Sequence, residues 1–214
     1  MLGLKASAVE DLRYLLSRGY GRISSVKFVG DKYLLDKPQR LVLYRGVYPE
    51  EGALEHKKKL VSPEEVKGAK LAIDGFNVLW TVDGALKGRN VFKCDDGFVR
   101  DISAIHGSPT GEDLSEPIQL IVRDLREIGP SEANFVFDRL VSRSGELSKQ
   151  ISQTLKSNSI KGGANTATSA DFEVIRSGEI VSSSDSVIID KSKKVFDLAA
   201  HVLEVLLRRE LPKI

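Results

Sequence analysis

Residues 70–79, Lys-Leu-Ala-Ile-Asp-Gly-Phe-Asn-Val-Leu, constrain the fold of this chain more than any other stretch. Leu71, Ala72 and Ile73 form a short unbroken apolar run, which suits a strand covered on both faces and therefore a parallel sheet flanked by helices. Asp74 ends the run, and Gly75 allows a backbone conformation that a residue with Cβ would resist. In open α/β sheets, chemistry collects beyond the carboxyl ends of such strands. Asp74 and Asn77 are accordingly the first candidate site residues, and the fold class expected is α/β.

The chain has 214 residues, enough for one full core and a small appendage, with a net charge of only +2. No run approaches the length of a membrane span, and the N-terminus lacks a signal peptide's apolar core, so a soluble, cytoplasmic protein is expected. Cys94 is the single cysteine, which excludes an internal disulfide, a multi-thiolate zinc site and a Cys-x-x-Cys redox pair. His56, His106 and His201 are scattered. Any metal would be a hard cation held by oxygens, with Mg²⁺ or Mn²⁺ preferred.

Charge is unevenly placed. Residues 1–70 hold 14 of the 32 basic side chains and 9 of the 30 acidic ones, a net +5, so the remainder carries −3. A basic front end on a mildly acidic body suits one part that grips an anionic polymer and another that holds cations, although ordinary surface charge gives the same count. The front end, residues 1–60, reads as a small helical domain. Helices are expected over 6–17, 23–29 and 38–44, broken at Gly19-Tyr20-Gly21 and Gly30-Asp31. Two readings stand: a helix-turn-helix that offers Arg40 and Arg45 to phosphates, or a cap packed on the larger domain. Residues 50–60, with Lys57-Lys58-Lys59, read as an exposed connection. Ser62-Pro63-Glu64-Glu65 then signals a helix start, with a capping serine and a proline at the first helical position.

Residues 69–214 read as the second domain. A β-hairpin insertion is expected near 90–101, with Asp95-Asp96-Gly97 at its turn, followed by a loop through Gly107–Gly111 and a helix around Ile118–Leu125. A second strand, Asn134–Phe137, ends on Asp138. A helix over 143–156 follows, then residues 157–163, which read as a turn with room for a short strand. Asp171 falls in the first turn of the next helix, and a third strand, 178–185, ends on Asp185 beside Ser184. Residues 194–209 read as a closing α-helix, with Phe196, Ala199, Leu203 and Leu206 on one face. Trp80 and Tyr20 are expected in the core, and Cys94 as a small semi-buried hydrophobe.

Aspartates after strands commonly cap the next helix. Asp74, Asp138, Asp171 and Asp185 gathered together would instead repel one another by several kcal/mol per unscreened close pair unless a cation lay among them. Such an ion can activate water for phosphodiester hydrolysis, with Asn77 and Ser184 orienting a carboxylate or a bound water. Asp101 is open between three roles: an added ligand, a partner for Arg100, and a turn cap.

Ile73-Asp74-Gly75-Phe76-Asn77-Val78-Leu79, Val136-Phe137-Asp138, Ala170-Asp171 and Val181-Ser182-Ser183-Ser184-Asp185-Ser186 resemble the successive motifs of PIN-like ribonuclease domains, most closely the NYN branch. The whole chain resembles an uncharacterised, mainly archaeal family that joins a small basic helical domain to a PIN-like domain. The resemblance implies a Rossmann-like three-layer α/β/α domain, Mg²⁺ or Mn²⁺ in an acidic pocket, and RNA rather than DNA as substrate. It implies Asp74, Asn77, Asp138 and Asp185 as catalytic residues and Asp74, Asp138, Asp171 and Asp185 as metal ligands. Arg40, Arg45 and Arg100 are the cationic candidates for nucleic acid, and a second copy of the chain is a further candidate partner.

One departure leaves a second reading. The last motif supplies a single aspartate, Asp185, with the next at Asp190, which joins Asp101 and Ser184 as an additional candidate site residue, so a PIN-like RNA-binding or regulatory module of little or no activity is the alternative. A phosphatase of the haloacid dehalogenase type would need an aspartate where Phe76 stands. No Gly-x-Gly-x-x-Gly or phosphate loop follows the first strand, which disfavours a dinucleotide-binding enzyme.

Overall fold

In a computed structural model, the structure describes residues 4–102 and 113–214. His106 and the Gly107–Gly111 stretch lie outside the described residues. Four helices come first: α1 (Ala6–Ser17), α2 (Arg22–Lys32), α3 (Lys37–Gly46) and α4 (Glu50–Lys59). The first begins and ends where expected, while α2 runs through Gly30 and Asp31 to Lys32, so the break expected there falls inside the helix. Asp36 starts α3 through a capping box, accepting the Gln39 amide at 2.8 Å while Gln39 Oε1 accepts the Asp36 amide. Ala8, Leu12, Leu16, Val26, Val29, Leu35, Leu43 and Val47 close a small core among these helices.

The fourth helix corrects the expected linker at residues 50–60. Glu50 and Glu51 lie in its first turn and His56 through Lys59 in its last, so the charge run matches the helix dipole. Its inner face buries Ala53 and His56. Composition alone hid this, because only one face of the run is solvated.

After the short α5 (Pro63–Val66), β1 (Lys70–Asp74) leads directly into α6 (Gly75–Leu86). The hairpin β2 (Val91–Lys93) and β3 (Val99–Asp101) follows, then α7 (Ser115–Ile128), β4 (Glu132–Asp138), α8 (Ser144–Ser157), β5 (Gly162–Ala167), α9 (Ala170–Ser177), β6 (Ile180–Ser182) and α10 (Ser186–Lys191). Gly129 ends α7 in the left-handed conformation, at φ 76°. β1, β4, β5 and β6 form a parallel sheet in the order β5-β4-β1-β6.

Alternation along the strands sends Leu71, Ile73, Ala133, Phe135 and Phe137 into a core with α6, α7 and α8. Ala72, Val136 and Val181 pack on the other face with Val174 of α9 and Ile188 of α10. The expected coverage of β1 on both faces is therefore observed, and the fold is mixed α/β with an N-terminal helical region.

Three expectations need correction here. The turn at 157–163 is followed by a fourth strand, β5, which pairs with β4 from Ala133↔Gly162 to Asp138↔Ala167. Its Gly-Gly-Ala-Asn-Thr-Ala sequence carries little strand propensity, and pairing with an already formed β4 supplies the order. The closing α-helix is also different: Leu198–Ala200 (α11) runs into a π-helical segment, His201–Leu206, while Val195 and its neighbours bridge to Val181. Asp197 accepts amides from Val99 and Ala200, so the helix starts there and not at Lys194. Tyr20 is 62% exposed and lies outside any core.

The hairpin joins the two parts of the chain. Val42 of α3 packs with Phe92, Cys94 and Ile102, so Cys94 is buried apolar filling, its thiol pushed up to about 11 by burial. Among the described residues no helix is long and apolar enough to cross a membrane.

Candidate functional site

Asp74 is the last residue of β1 and the N-cap of α6. Its Oδ1 accepts the Asn77 amide at 3.3 Å, and its Oδ2 accepts the Ser183 hydroxyl at 2.9 Å. Gly75 is required for space and not for conformation: its φ is not positive, and a Cβ there would overlap the Phe137 ring. That corrects the reason expected from sequence.

Asn77 does not orient a carboxylate through its side chain. Its Oδ1 accepts both the Ser184 amide, at 2.9 Å, and the Ser184 hydroxyl, at 3.1 Å. It therefore clamps the segment after β6 to the start of α6. Ser183, which sequence reasoning passed over, is the residue that touches Asp74; its Oγ also accepts the Asp185 amide at 3.1 Å. The three consecutive serines before Asp185 were the available signal.

Asp185 caps α10, with Oδ1 accepting the Val187 and Ile188 amides. Both bonds fall on one oxygen. Asp138 behaves alike, its Oδ1 accepting the Leu140 amide at 2.8 Å. Capping thus occupies one oxygen of each and leaves the second without a hydrogen-bond partner among the described residues.

A cleft of about 520 Å³ opens beyond the ends of β1 and β6, lined by Asp74, Asn77, Asp171, Ser184 and Asp185 on its acidic side. Asp101 also lines it and pairs with Arg89, at 3.4 Å, in place of Arg100. Burial pushes the Asp74 carboxyl up to about 7; the Ser183 and Asn77 bonds oppose this, while Asp185 and Asp171 add to it. Asp171 is raised as well, by burial and by the charges of Asp185 and Asp138. The carboxylates are thus close enough to repel one another, although Asp138 does not line the cleft itself.

Among the described residues no group of three or more His, Cys, Asp or Glu is placed to hold a metal ion together. Mg²⁺ commonly takes only one or two carboxylates and keeps several waters, so an all-oxygen, mutually repelling set of this kind fits a water-rich hard cation better than a closed cage. Asp74, Asp171 and Asp185 line the cleft, and one or two of them, completed by waters, are what such an ion would take.

Asp190 lies elsewhere. It pairs with His56 Nε2 at 2.9 Å and does not reach the cleft, which corrects its place among the added site residues. Of the cationic candidates, Arg45 lines the cleft and donates to the Asp101 carbonyl. Arg40 is directed to Asp31 and to the carbonyls of Leu35 and Lys27, away from it. Arg100 also borders the cleft, but it is buried, with Nη1 and Nη2 each 2.7 Å from Asp96 and Nε 2.7 Å from the Ser184 carbonyl. Its role is to fix Ser184 and the hairpin.

The cleft is also lined by aromatic and basic residues: Arg22, Tyr44, Arg45 and Tyr48 from the helical region, with Phe76 and Trp80 of α6. Trp80 stacks on Phe76 with ring centroids 4.7 Å apart, so it borders the site as well as the core.

Residues 63–201 match the family described as Domain of unknown function (DUF5616). The chain belongs to that family. Residues 6–59 match a second family, Protein of unknown function (DUF434), so the DUF5616 portion carries the sheet and the acidic side of the cleft, and the DUF434 portion carries α1–α4. An uncharacterized protein of Methanocaldococcus jannaschii is 33% identical over 204 residues, covering 94% of this chain and 98% of that protein. No solved structure matches the chain. In this DUF5616 member, Asp74, Ser183 and Asp185 form one hydrogen-bonded unit across two strand ends.

Proposed function

We propose that the chain is a metal-dependent ribonuclease with a PIN-like domain, acting on a phosphodiester bond held over Asp74, Asp171 and Asp185. The observation that carries this reading is the cleft itself: three carboxylates line one opening at the carboxyl ends of a parallel sheet, and two of them are raised by burial and mutual repulsion. Asp74 is half-buried while Asp171 and Asp185 are exposed, and carboxylates gathered at one opening favour a bound cation.

Mg²⁺ or Mn²⁺, when bound, would supply an activated water and neutralise charge on the phosphate. The chain's own residues do the positioning. Ser183 donates to Asp74 and fixes its rotamer, and its Oγ takes the Asp185 amide, so one hydroxyl ties the Asp74 carboxylate to the Asp185 backbone. Asn77 fixes the Ser184 backbone beneath them. Phe76 and Trp80 limit access of bulk water along one wall.

The second reading, an RNA-binding module without hydrolysis, draws on one observation: among the described residues no group of three or more acidic or histidine side chains is placed to bind one ion. Cleavage of single-stranded RNA with Mn²⁺, by the parent and by Asp74→Asn purified identically, separates the two. Loss of cleavage in the variant supports the nuclease. Equal cleavage in both would assign the activity to a contaminant or to another site, and RNA binding without cleavage by the parent would favour the module.

A further inference from the structure

The cleft is lined by acidic residues and also by a basic, aromatic group, Arg22, Tyr44, Arg45 and Tyr48, and the proposed hydrolysis uses only the acidic ones. Arg22, at the start of α2, donates through Nη1 to the carbonyls of Tyr44, at 2.7 Å, and Val47, at 2.6 Å. These bonds hold its guanidinium beside the Tyr44 and Tyr48 rings, with centroids 5.9 Å and 5.0 Å away. Arg22 has no carboxylate partner among the described residues, and its two bonds to protein use Nη1 alone. Tyr44 is 42% exposed although it lines the cleft. Tyr48 behind it is buried, its hydroxyl pushed up to about 12 by burial, and is pinned by Arg100, whose guanidinium carbon lies 4.9 Å from its ring centroid.

We propose that this wall is a binding site for an unpaired nucleotide next to the scissile phosphate, with Arg22 taking a phosphate oxygen and Tyr44 taking the face of a base. The inference rests on the nuclease reading for the position of the scissile bond. Its own support is separate: a fixed guanidinium with donors to spare and an exposed ring on the same surface form the pairing that single-stranded nucleic acids use, backbone charge on a cation and base on an aromatic face. The carboxylates repel phosphate, so the polymer is drawn toward the basic residues of the helical region, and only the phosphate nearest a bound cation approaches the carboxylates. A cleft of about 520 Å³ has room for a splayed-out nucleotide. The DUF434 portion is then half of the binding site and not an appendage, since Arg22 and Tyr44 both lie within residues 6–59.

The test is fluorescence anisotropy of a short labelled single-stranded RNA, with EDTA present to prevent cleavage, on the full chain. The proteins are the parent, Tyr44→Ala, Tyr44→Phe, Arg22→Gln and, as a control on the far helix α8, Lys149→Ala. Tyr44→Ala is expected to weaken binding about tenfold, while Tyr44→Phe keeps the ring and the affinity. Arg22→Gln is expected to lower the slope of log affinity against log salt by about 1. Because Arg22 also holds the end of α3 through its hydrogen bonds to the Tyr44 and Val47 carbonyls, circular dichroism accompanies that variant; Tyr44 is exposed enough to truncate without opening the core.

Binding by Tyr44→Ala equal to the parent overturns the inference, as does a duplex of the same sequence bound as tightly as the single strand. If the parent cleaves with Mn²⁺ and Tyr44→Ala cleaves with unchanged KM, the wall is wrong and the nuclease stands. If Tyr44→Ala binds weakly and the parent never cleaves, the nuclease is wrong and the wall stands.

Discussion

His56 Nδ1 lies 2.8 Å from Asp96 Oδ2, tying the last turn of α4 to the turn of the β2–β3 hairpin. The contact is one link in a longer path. Asp96, fully buried, also takes both terminal nitrogens of Arg100, whose Nε reaches the Ser184 carbonyl, and Ser184 in turn is clamped by Asn77. At the other end, His56 Nε2 meets Asp190. A continuous set of charged hydrogen bonds thus runs from the helical region to the floor of the cleft, with each buried charge paired.

Removing His56 should loosen that path in a pH-dependent way. Burial lowers the affinity of the imidazole for a proton, but the hydrogen bonds from Asp96 and Asp190 outweigh it and raise the pKa above its ordinary value. A raised histidine stabilises fully below its unfolded-state pKa, near 6.5, and loses that contribution as pH rises through the folded-state value. His56→Ala is therefore predicted to cost about 1–3 kcal/mol near pH 6 and less above pH 8, with Arg100 still neutralising Asp96. Urea denaturation of parent and variant at the two pH values measures this. An identical loss at both would mean that the ring is neutral in the folded protein throughout.

Asp74→Asn is predicted to abolish cleavage and yet stabilise the metal-free protein at alkaline pH. The folded-state pKa is raised to about 7 by burial, so stability is complete below the unfolded value near 3.8 and falls as pH rises through about 7. Asparagine removes the charge and forfeits one hydrogen bond, leaving a net gain of about 1–2 kcal/mol above pH 8. Mn²⁺ should then raise the Tm of the parent more than that of the variant. Thermal denaturation with and without the ion tests both statements; a variant less stable than the parent at pH 8 without metal would show that Asp74 is not strained as an anion.

The acidic side of the site was legible because its signals are local. A buried apolar run ending in Asp74 and a serine run ending in Asp185 each place a carboxylate by chain direction alone, whereas the run ending at Asp138 gives the same signal and leaves its carboxylate outside the cleft lining. What escaped was set by distant contacts. Residues 50–59 read as solvated charge because the partners of His56 lie 40 and 134 residues further along the chain, at Asp96 and Asp190. β5 escaped because its order comes from β4 and from Ser148 and Ser152 of α8, which bond Ala164. Arg40 and Arg45 are equal as charges in the sequence, but only the helix packing decides that Arg45 reaches the cleft while Arg40 does not.

A second carboxylate gives a separate pH signature. Asp197 is 8% exposed, and burial pushes it up to about 6 against the opposing amide bonds of Val99 and Ala200. The same sign applies as for Asp74, but over a lower window: stability is expected to fall between about pH 4 and pH 6, by no more than about 3 kcal/mol. Asp197→Asn should flatten that part of the profile while costing about 1–2 kcal/mol, since one of the two amides loses its acceptor. A stability profile across pH 4 to 6 that keeps its slope in the variant would assign the slope to another group.

Gly75→Ala tests how tightly the Asp74 turn is packed. The new Cβ would enter the Phe137 ring, which is wholly buried and held edge-on against Phe76, with centroids 4.9 Å apart. Overpacking at such a place costs about 1–3 kcal/mol, because neither the ring nor the strand end has room to move. If the cost is steric, Phe137→Leu should relieve part of it, and the double variant should be more stable than the two single losses added together, with a coupling of about 1 kcal/mol. Strict additivity would place the glycine's importance in its backbone, contrary to its ordinary φ. In the proposed nuclease the same substitution would also displace the Asp74 carboxylate, so cleavage should fall further than stability in Gly75→Ala and recover in step with stability in the double variant.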